Sequence, residues 1–208
     1  MIELVPPLGL ATEFMSQVVA WPGKDEPGYV NLVWRTKDNK WKVQGFRDVL
    51  GFMKGVDEVM GLPDSLDIYY CLSTQSDPKK RSLKNALKIK SLWVDVDVKD
   101  SPKGYANLDD ALDAIGKFIS MTKLPLPSAL IGSGGGCHVY WFGKDLTVDE
   151  WRPFANQLKT VVLHHGLRCD AGITTDAARI LRVPGTFNHK TGIKRPVQFI
   201  PIIVHTHE

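Results

Sequence analysis

The segment Leu92-Trp93-Val94-Asp95-Val96-Asp97-Val98 constrains this chain more than any other, because it sets two carboxylates two residues apart inside an apolar, β-branched strand. Side chains alternate across a strand, so Asp95 and Asp97 leave one face, roughly 6.5–7 Å apart at Cα, while Val94, Val96 and Val98 leave the other. Two adjacent like charges half inside a protein repel each other and lose hydration, so they persist where a bound metal or a basic neighbour offsets that cost. A pair of divalent ions about 3.5–4 Å apart, as used in phosphoryl transfer, suits such a pair once a third carboxylate joins it. The plain alternative is a strand end with two solvated acids; three valines opposite and no turn residue between the acids favour the metal.

The 208 residues suffice for one sizeable α/β domain or two small modules sharing a cleft. With 43% hydrophobic and 24% charged residues the composition is that of a soluble protein, and no apolar run is long enough to span a membrane. The start, Met1-Ile2-Glu3-Leu4-Val5-Pro6-Pro7, lacks the basic region and apolar core of a signal peptide, so the cytoplasm is the expected location. Cys71, Cys137 and Cys169 show no CxxC spacing, which argues against a disulfide framework or a structural zinc site and for buried thiols. The net charge of +3 identifies no partner, but Lys79, Lys80, Arg81, Lys84, Lys88 and Lys90 form a run of six basic residues without an acid. Such a run is either a solvated face or, standing directly before the two-Asp strand, a surface for phosphate.

No internal repeat, low-complexity segment or long linker divides the chain. Helical spacing runs from Leu8 to Ala20, and strand alternation from Tyr29 to Arg35 and Lys40 to Gly45 around a turn at Lys37-Asp38-Asn39. Arg47 to Met60 reads as a helix ending at Gly61, and Leu66 to Leu72 as a strand. After the two-Asp strand, Asn107 caps a helix to about Met121, strands follow at Ser128 to Ile131 and Cys137 to Phe142, and Thr147 with Glu150 opens a helix to about His165 through a capping box. Arg168 to Lys194 reads as irregular with one short helix, and Pro196 to His205 as an apolar closing strand. The β-α-β-β-α-β run of the second half predicts a ferredoxin-like or RNA-recognition-motif-like sheet, an α/β (α+β) fold.

Two further clusters carry chemistry. Ser133-Gly134-Gly135-Gly136-Cys137-His138 joins two strands through glycines whose amides can form an anion nest, with His138 adding a ring N–H or a positive charge. It is not a Walker A loop, and the plain reading is a tight hairpin with a core histidine. His138, Tyr140 and Phe142 share a face, so the histidine looks toward a cleft floored by aromatics. Downstream, Thr174 or Thr175 can cap a short helix on which Arg179 and Arg182, three apart, would share a face suited to a triphosphate or a nucleic-acid backbone. Asp170, in a turn before that helix, is the better third metal ligand; Asp176 is the alternative, or simply an acid in a helix's first turn.

The strand Asp-x-Asp, the glycine hairpin ending in His138, and Asp170 followed by Arg179-Ile180-Leu181-Arg182-Val183-Pro184-Gly185-Thr186-Phe187-Asn188-His189-Lys190 together resemble the three motifs of the archaeo-eukaryotic primase superfamily. The resemblance is to its bifunctional primase-polymerases of phages and plasmids, and it covers roughly residues 66 to 200. It implies a single catalytic domain over residues 1–208, with an N-terminal αβ module (about 1–90) beside an RNA-recognition-motif-like module (91–208) and the active site between them. It further implies that Asp95, Asp97 and Asp170 hold two Mg²⁺ or Mn²⁺ ions. One would activate the attacking 3′-hydroxyl and the other would bridge the incoming triphosphate and the leaving pyrophosphate. Ser133, Gly135, His138, Arg179, Arg182 and Lys190 would contact the nucleotide, and Lys79, Lys80, Arg81, Lys84 and Lys88 the nucleic acid. No cysteine set matches the zinc elements of the family, so no zinc is expected.

The reaction so implied is template-dependent synthesis and extension of primers from NTPs or dNTPs on single-stranded DNA, with a helicase domain or protein as a further partner and no membrane. The chain's ending just after an apolar strand suggests a catalytic core cut from something longer. A metal-dependent nuclease or replication initiator is one rival, for which His205 and His207 mimic a histidine pair. A non-catalytic RNA-recognition-motif-like module that stacks single strands on aromatics is the other, and Asp95 and Asp97 oppose it, since carboxylates in a phosphate groove repel the ligand unless metals intervene.

Overall fold

Residues 8–99 and 101–202 are described by the computed structural model. The elements are α1 (Leu8–Val18), β1 (Tyr29–Thr36), β2 (Trp41–Phe46), α2 (Val49–Met60), β3 (Ser65–Gln75), β4 (Ala86–Asp97), α3 (Leu108–Thr122), β5 (Ala129–Gly132), β6 (Gly136–Thr147) and α4 (Val148–His164). Four short strands follow, β7 (Ile180–Arg182), β8 (Phe187–Asn188), β9 (Arg195–Pro196) and β10 (Gln198–Ile200). Local chemistry sets the helix starts, since each cap carboxylate, amide or hydroxyl satisfies an N–H that the first turn leaves free. Asp48 accepts from the Gly51 N–H at 2.8 Å, Asn107 from Asp110 at 2.9 Å, and Thr147 and Glu150 close the capping box. Asn39, at φ 62°, turns the β1–β2 hairpin.

The strands form one antiparallel sheet in the order β10-β5-β6-β4-β3-β1-β2, with β7 also hydrogen-bonded to β3, while β8 and β9 pair separately. The boundary expected near residue 90 lies inside β4, so the two halves of the chain share this sheet. In β4-α3-β5-β6, strand β6 lies between β4 and β5, the split β-α-β arrangement of a ferredoxin-like unit. The fourth strand departs from that plan. β10 adds to β5 at the outer edge, and the place beside β4 belongs to β3, whose eleven residues supply Ile68, Tyr70 and Leu72 to the core while β10 has only three residues. The closing strand expected from Pro196 to His205 is reduced to Gln198–Ile200, and His205 and His207 lie outside the described residues.

β3 and β4 pair only at one end, through Ser73↔Ile89, Thr74↔Lys88 and Gln75↔Ala86. Beyond that they splay, and β7 occupies the fork, pairing Arg182, Leu181 and Ile180 with Tyr69, Tyr70 and Cys71. One face of the sheet packs against α1 and α2 through Phe14, Met15, Phe52 and Val56. The opposite face, with Val94, Val96 and Val139, packs against α3 and α4 through Ile115, Phe118, Leu158 and Val162. The three cysteines are free and buried, as expected. No helix among the described residues is long and apolar enough to cross a membrane.

Gly136 is where β6 must be bare. Its φ is 154°, and a Cβ there would stand 2.0 Å from the Val96 carbonyl oxygen. Gly136→Ala would force β4 and β6 apart beside Asp97, so its urea midpoint should fall by the equivalent of about 2 kcal/mol or more.

Candidate active site

The cleft begins where the sheet face runs out of apolar partners. Along the β4–β6 ladder Trp93 pairs with Tyr140, Asp95 with His138, and Asp97 with Gly136, so a buried aromatic pair gives way within four residues to charge. The fork supplies the facing wall. Arg179 and Arg182 both line the cleft, but not from a helix. Asp176 accepts the Ala178 N–H at 3.0 Å and ends a 3₁₀ turn at Ile173–Thr175, and Ile180-Leu181-Arg182 then pairs with β3 as β7. A spacing of three suits a helix face, yet pairing with an exposed strand flank satisfies more backbone groups than a short isolated helix could.

The result is a cavity of about 440 Å³, within the range that holds small ligands. Asp95, Asp97 and Asp170 line it, together with Ser133, Gly135, His138, Lys99 and Lys190. Asp95 accepts from Arg179 Nη2 at 3.3 Å, and its other oxygen lies 3.7 Å from His138 Nε2. Asp170 accepts the Gly172 N–H at 3.2 Å. Asp176 spends its carboxylate on the turn and is not among the lining residues, so Asp170 is the third carboxylate of the cleft.

Among the described residues no three His, Cys, Asp or Glu side chains stand close enough to hold a metal ion as they are. The donor chemistry nevertheless suits a hard cation, because Mg²⁺ is held by one or two carboxylates and completes its shell with water and substrate phosphates. A cation already sits in the field of the three acids. The Lys99 ammonium hydrogen-bonds to Asp97, and that contact, opposed by burial and reinforced by the charges of Asp97, Asp170 and Asp95, holds it above the usual lysine range.

His138 is 2% exposed, and burial pushes its imidazole down to about 4, with Asp95 opposing the shift. Burial thus favours the uncharged ring, which keeps one N–H to donate. The unfolded imidazole titrates near 6.5 and the folded one near about 4, so the unfolded chain binds the extra proton between these values. Stability that is complete above the unfolded value should be lost as pH falls through this window, by about 3 kcal/mol at most. Urea unfolding followed between about pH 7 and pH 4.5 should show that slope, and His138→Gln should flatten it.

Behind the arginines lies a buried carboxylate that the sequence reading passed over. Asp67, on β3 and 1% exposed, accepts from Arg35 Nε at 3.0 Å and from the His189 N–H at 2.7 Å, with Arg182 Nη2 at 3.7 Å. Arg182 also donates to the Tyr69 hydroxyl at 3.1 Å, its guanidinium 5.0 Å from that ring's centre. Trp41, half-exposed on β2, stands 5.6 Å from Tyr69 and also lines the cleft. Asp67 carried the same signal as Asp95, an acid inside an apolar strand; Trp41 carried none. Among the described residues, the buried Nε atoms of Arg179 and Arg182 have no hydrogen-bond partner. Asn188 donates to the Ser133 carbonyl at 2.9 Å and Arg195 to Gly134 at 3.3 Å, pinning the glycine turn against the β8–β9 hairpin.

The basic run is divided in its duties. Arg81 donates to the Ala178 carbonyl, tying the β3–β4 loop to the arginine segment, and Lys88 pairs with Glu26 at 2.7 Å. Lys79, Lys80 and Lys84 lie on the exposed part of that loop.

The forked antiparallel sheet with its flanking helices is a fold shared with solved primase domains. The chain superimposes on the AEP domain of the Cyanophage S-2L primase-polymerase with a TM-score of 0.56 and 15% identity, covering 84% of this chain and 81% of that one. Primase RepB′ gives a TM-score of 0.56 at 10% identity, over 95% of this chain and 56% of that one. At these identities the likeness is one of fold. In sequence, a replication protein of Clostridium perfringens is 30% identical over 128 residues, 60% of this chain and 30% of that protein, so the match spans less than a third of that relative. No family model matches the chain.

Proposed function

We propose that this chain is the catalytic domain of a replication primase that makes and extends primers on single-stranded DNA by nucleotidyl transfer, in phage or plasmid replication. The observation that carries this reading is the convergence of Asp95, Asp97 and Asp170 with His138, Arg179 and Arg182 on one cleft at the fork. Arg179, Arg182 and Lys190, which all line the cleft, suit the β- and γ-phosphates of an incoming nucleotide. Ser133 and the His138 N–H add uncharged donors. Asp95, Asp97 and Asp170 would hold Mg²⁺ or Mn²⁺, which when bound would acidify a 3′-hydroxyl and offset the charge of the triphosphate. The 3′-hydroxyl gives its proton to solvent, its oxygen bonds to the α-phosphorus, the bond from that phosphorus to the bridging oxygen breaks, and pyrophosphate leaves. The exposed Lys79, Lys80 and Lys84 suit the template backbone, and a helicase domain or partner protein belongs to the same reading.

The test is incorporation of labelled NTPs and dNTPs on single-stranded DNA with Mg²⁺ or Mn²⁺, with and without a primer. Products with a primer are expected for the polymerase, and products without one for the primase; no product under any of these conditions would defeat the reading. The aromatic pair makes a separate prediction. A nucleobase stacked on Trp41 contributes about 1–3 kcal/mol, so Trp41→Ala should weaken nucleotide binding about 5- to 150-fold while leaving tripolyphosphate binding unchanged. Equal losses for both ligands would rule out stacking there.

A further inference from the structure

The face of β6 that turns His138 toward the cleft continues inward to Tyr140, and β3 sets Tyr70 against it. The Tyr70 hydroxyl donates to the Tyr140 oxygen at 2.9 Å, and the Tyr140 hydroxyl lies 3.3 Å from His138 Nδ1. Both tyrosines and the histidine are buried, and Phe14 stands edge-on to the two tyrosine rings at 6.1 and 5.3 Å. On the cleft side, His138 Nε2 faces Asp95 Oδ1 at 3.7 Å, and a carboxylate oxygen only accepts. A lone pair on Nε2 would point at that negative oxygen, whereas an N–H turns its positive end toward it. With the hydrogen on Nε2, Nδ1 becomes the acceptor, Tyr140 donates to it, and the Tyr140 oxygen receives the Tyr70 hydrogen. Run the other way, the relay would leave the Nε2 lone pair aimed at Asp95.

We propose that Tyr70 and Tyr140 are positioning residues that lock His138 as its Nε2–H tautomer, so that a ring N–H is aimed past Asp95 at a phosphate oxygen in the cleft. The phosphate rests on the nucleotide-transfer reading above; the tautomer does not. An Nε2–H on a ring anchored from behind is held in place to bond a phosphate.

The ¹⁵N spectrum of His138 in the wild-type protein should show a single tautomer with Nδ1 unprotonated and hydrogen-bonded. An Nδ1–H tautomer or a doubly protonated ring near neutral pH would overturn the proposal. Tyr140→Phe should move the Nδ1 resonance to that of an unbonded nitrogen and weaken tripolyphosphate binding about three- to tenfold. Because that variant also orphans the Tyr70 hydroxyl, Tyr70→Phe/Tyr140→Phe is the decisive second variant. It removes both hydroxyls, should unfold like wild type, and should still show the displaced resonance and the weakened binding. Wild-type resonance and affinity in the double variant would overturn the relay. A locked tautomer in a wild-type protein that binds no tripolyphosphate would uphold the relay and defeat the nucleotide reading instead.

Discussion

Asp95→Ala is expected to lower metal-dependent nucleotide incorporation on single-stranded DNA by about 10³-fold or more while the protein stays folded. Asp95 is the carboxylate on which the cleft converges: one oxygen takes Arg179, the other faces His138, and its strand neighbour Asp97 extends the same face. Removing it takes away a candidate metal ligand and the anchor of one arginine, and leaves Lys99 on Asp97. The loss should persist in Asp95→Asn, because a neutral amide keeps the shape but not the charge. Binding of single-stranded DNA without metal, followed by fluorescence anisotropy, should be equal or tighter in the alanine variant, since a negative charge has left a groove lined by Lys99, Arg179, Arg182 and Lys190. Full incorporation by Asp95→Ala would remove the two-Asp strand from the mechanism. A wild-type protein that binds DNA but incorporates nothing would make the cleft a passive single-strand binding site.

Asp67→Ala should cost about 3–5 kcal/mol of stability. The carboxylate is 1% exposed and serves Arg35, Arg182 and the His189 backbone together, so its removal leaves two part-buried guanidinium groups without their shared counterion. The cost of an uncompensated buried charge exceeds what the pair contributes while intact. Asp67→Asn should lose less, because the amide oxygen can still accept from His189. Urea denaturation measures the first effect. The second is local: Arg182, released from Asp67, keeps only Tyr69, and nucleotide affinity should fall even under conditions where the variant is fully folded. A variant as stable as wild type would mean that solvent, and not Asp67, balances these arginines.

Much of this cleft was legible in the chain because its determinants are short-range. The period of two in Val94-Asp95-Val96-Asp97 separates a core face from a polar face whatever the sheet does elsewhere, and Asn107 and the Thr147–Glu150 box mark helix starts through contacts within three residues. The glycine turn before His138 and the identities of Arg179 and Arg182 were equally visible. The element carrying those arginines was misread, because a spacing of three reads as a helix face until a partner strand is known, and that partner, Tyr69 on β3, lies 113 residues away. The same separation hid Asp67, whose ligands come from residues 32 and 122 positions off.

What the sequence by itself determined is therefore the four helices, the longer strands and the chemical character of the residues on one strand face, since alternation and capping act within a few residues. Only the tertiary structure decided the rest: the splaying of β3 from β4, the seating of β7 in the fork, the place of Asp170 on the cleft wall, and the burial of His138. Each depends on which distant backbone edge or buried side chain comes to lie alongside, and burial and long-range pairing are properties of the packed sheet, with no counterpart in the local pattern.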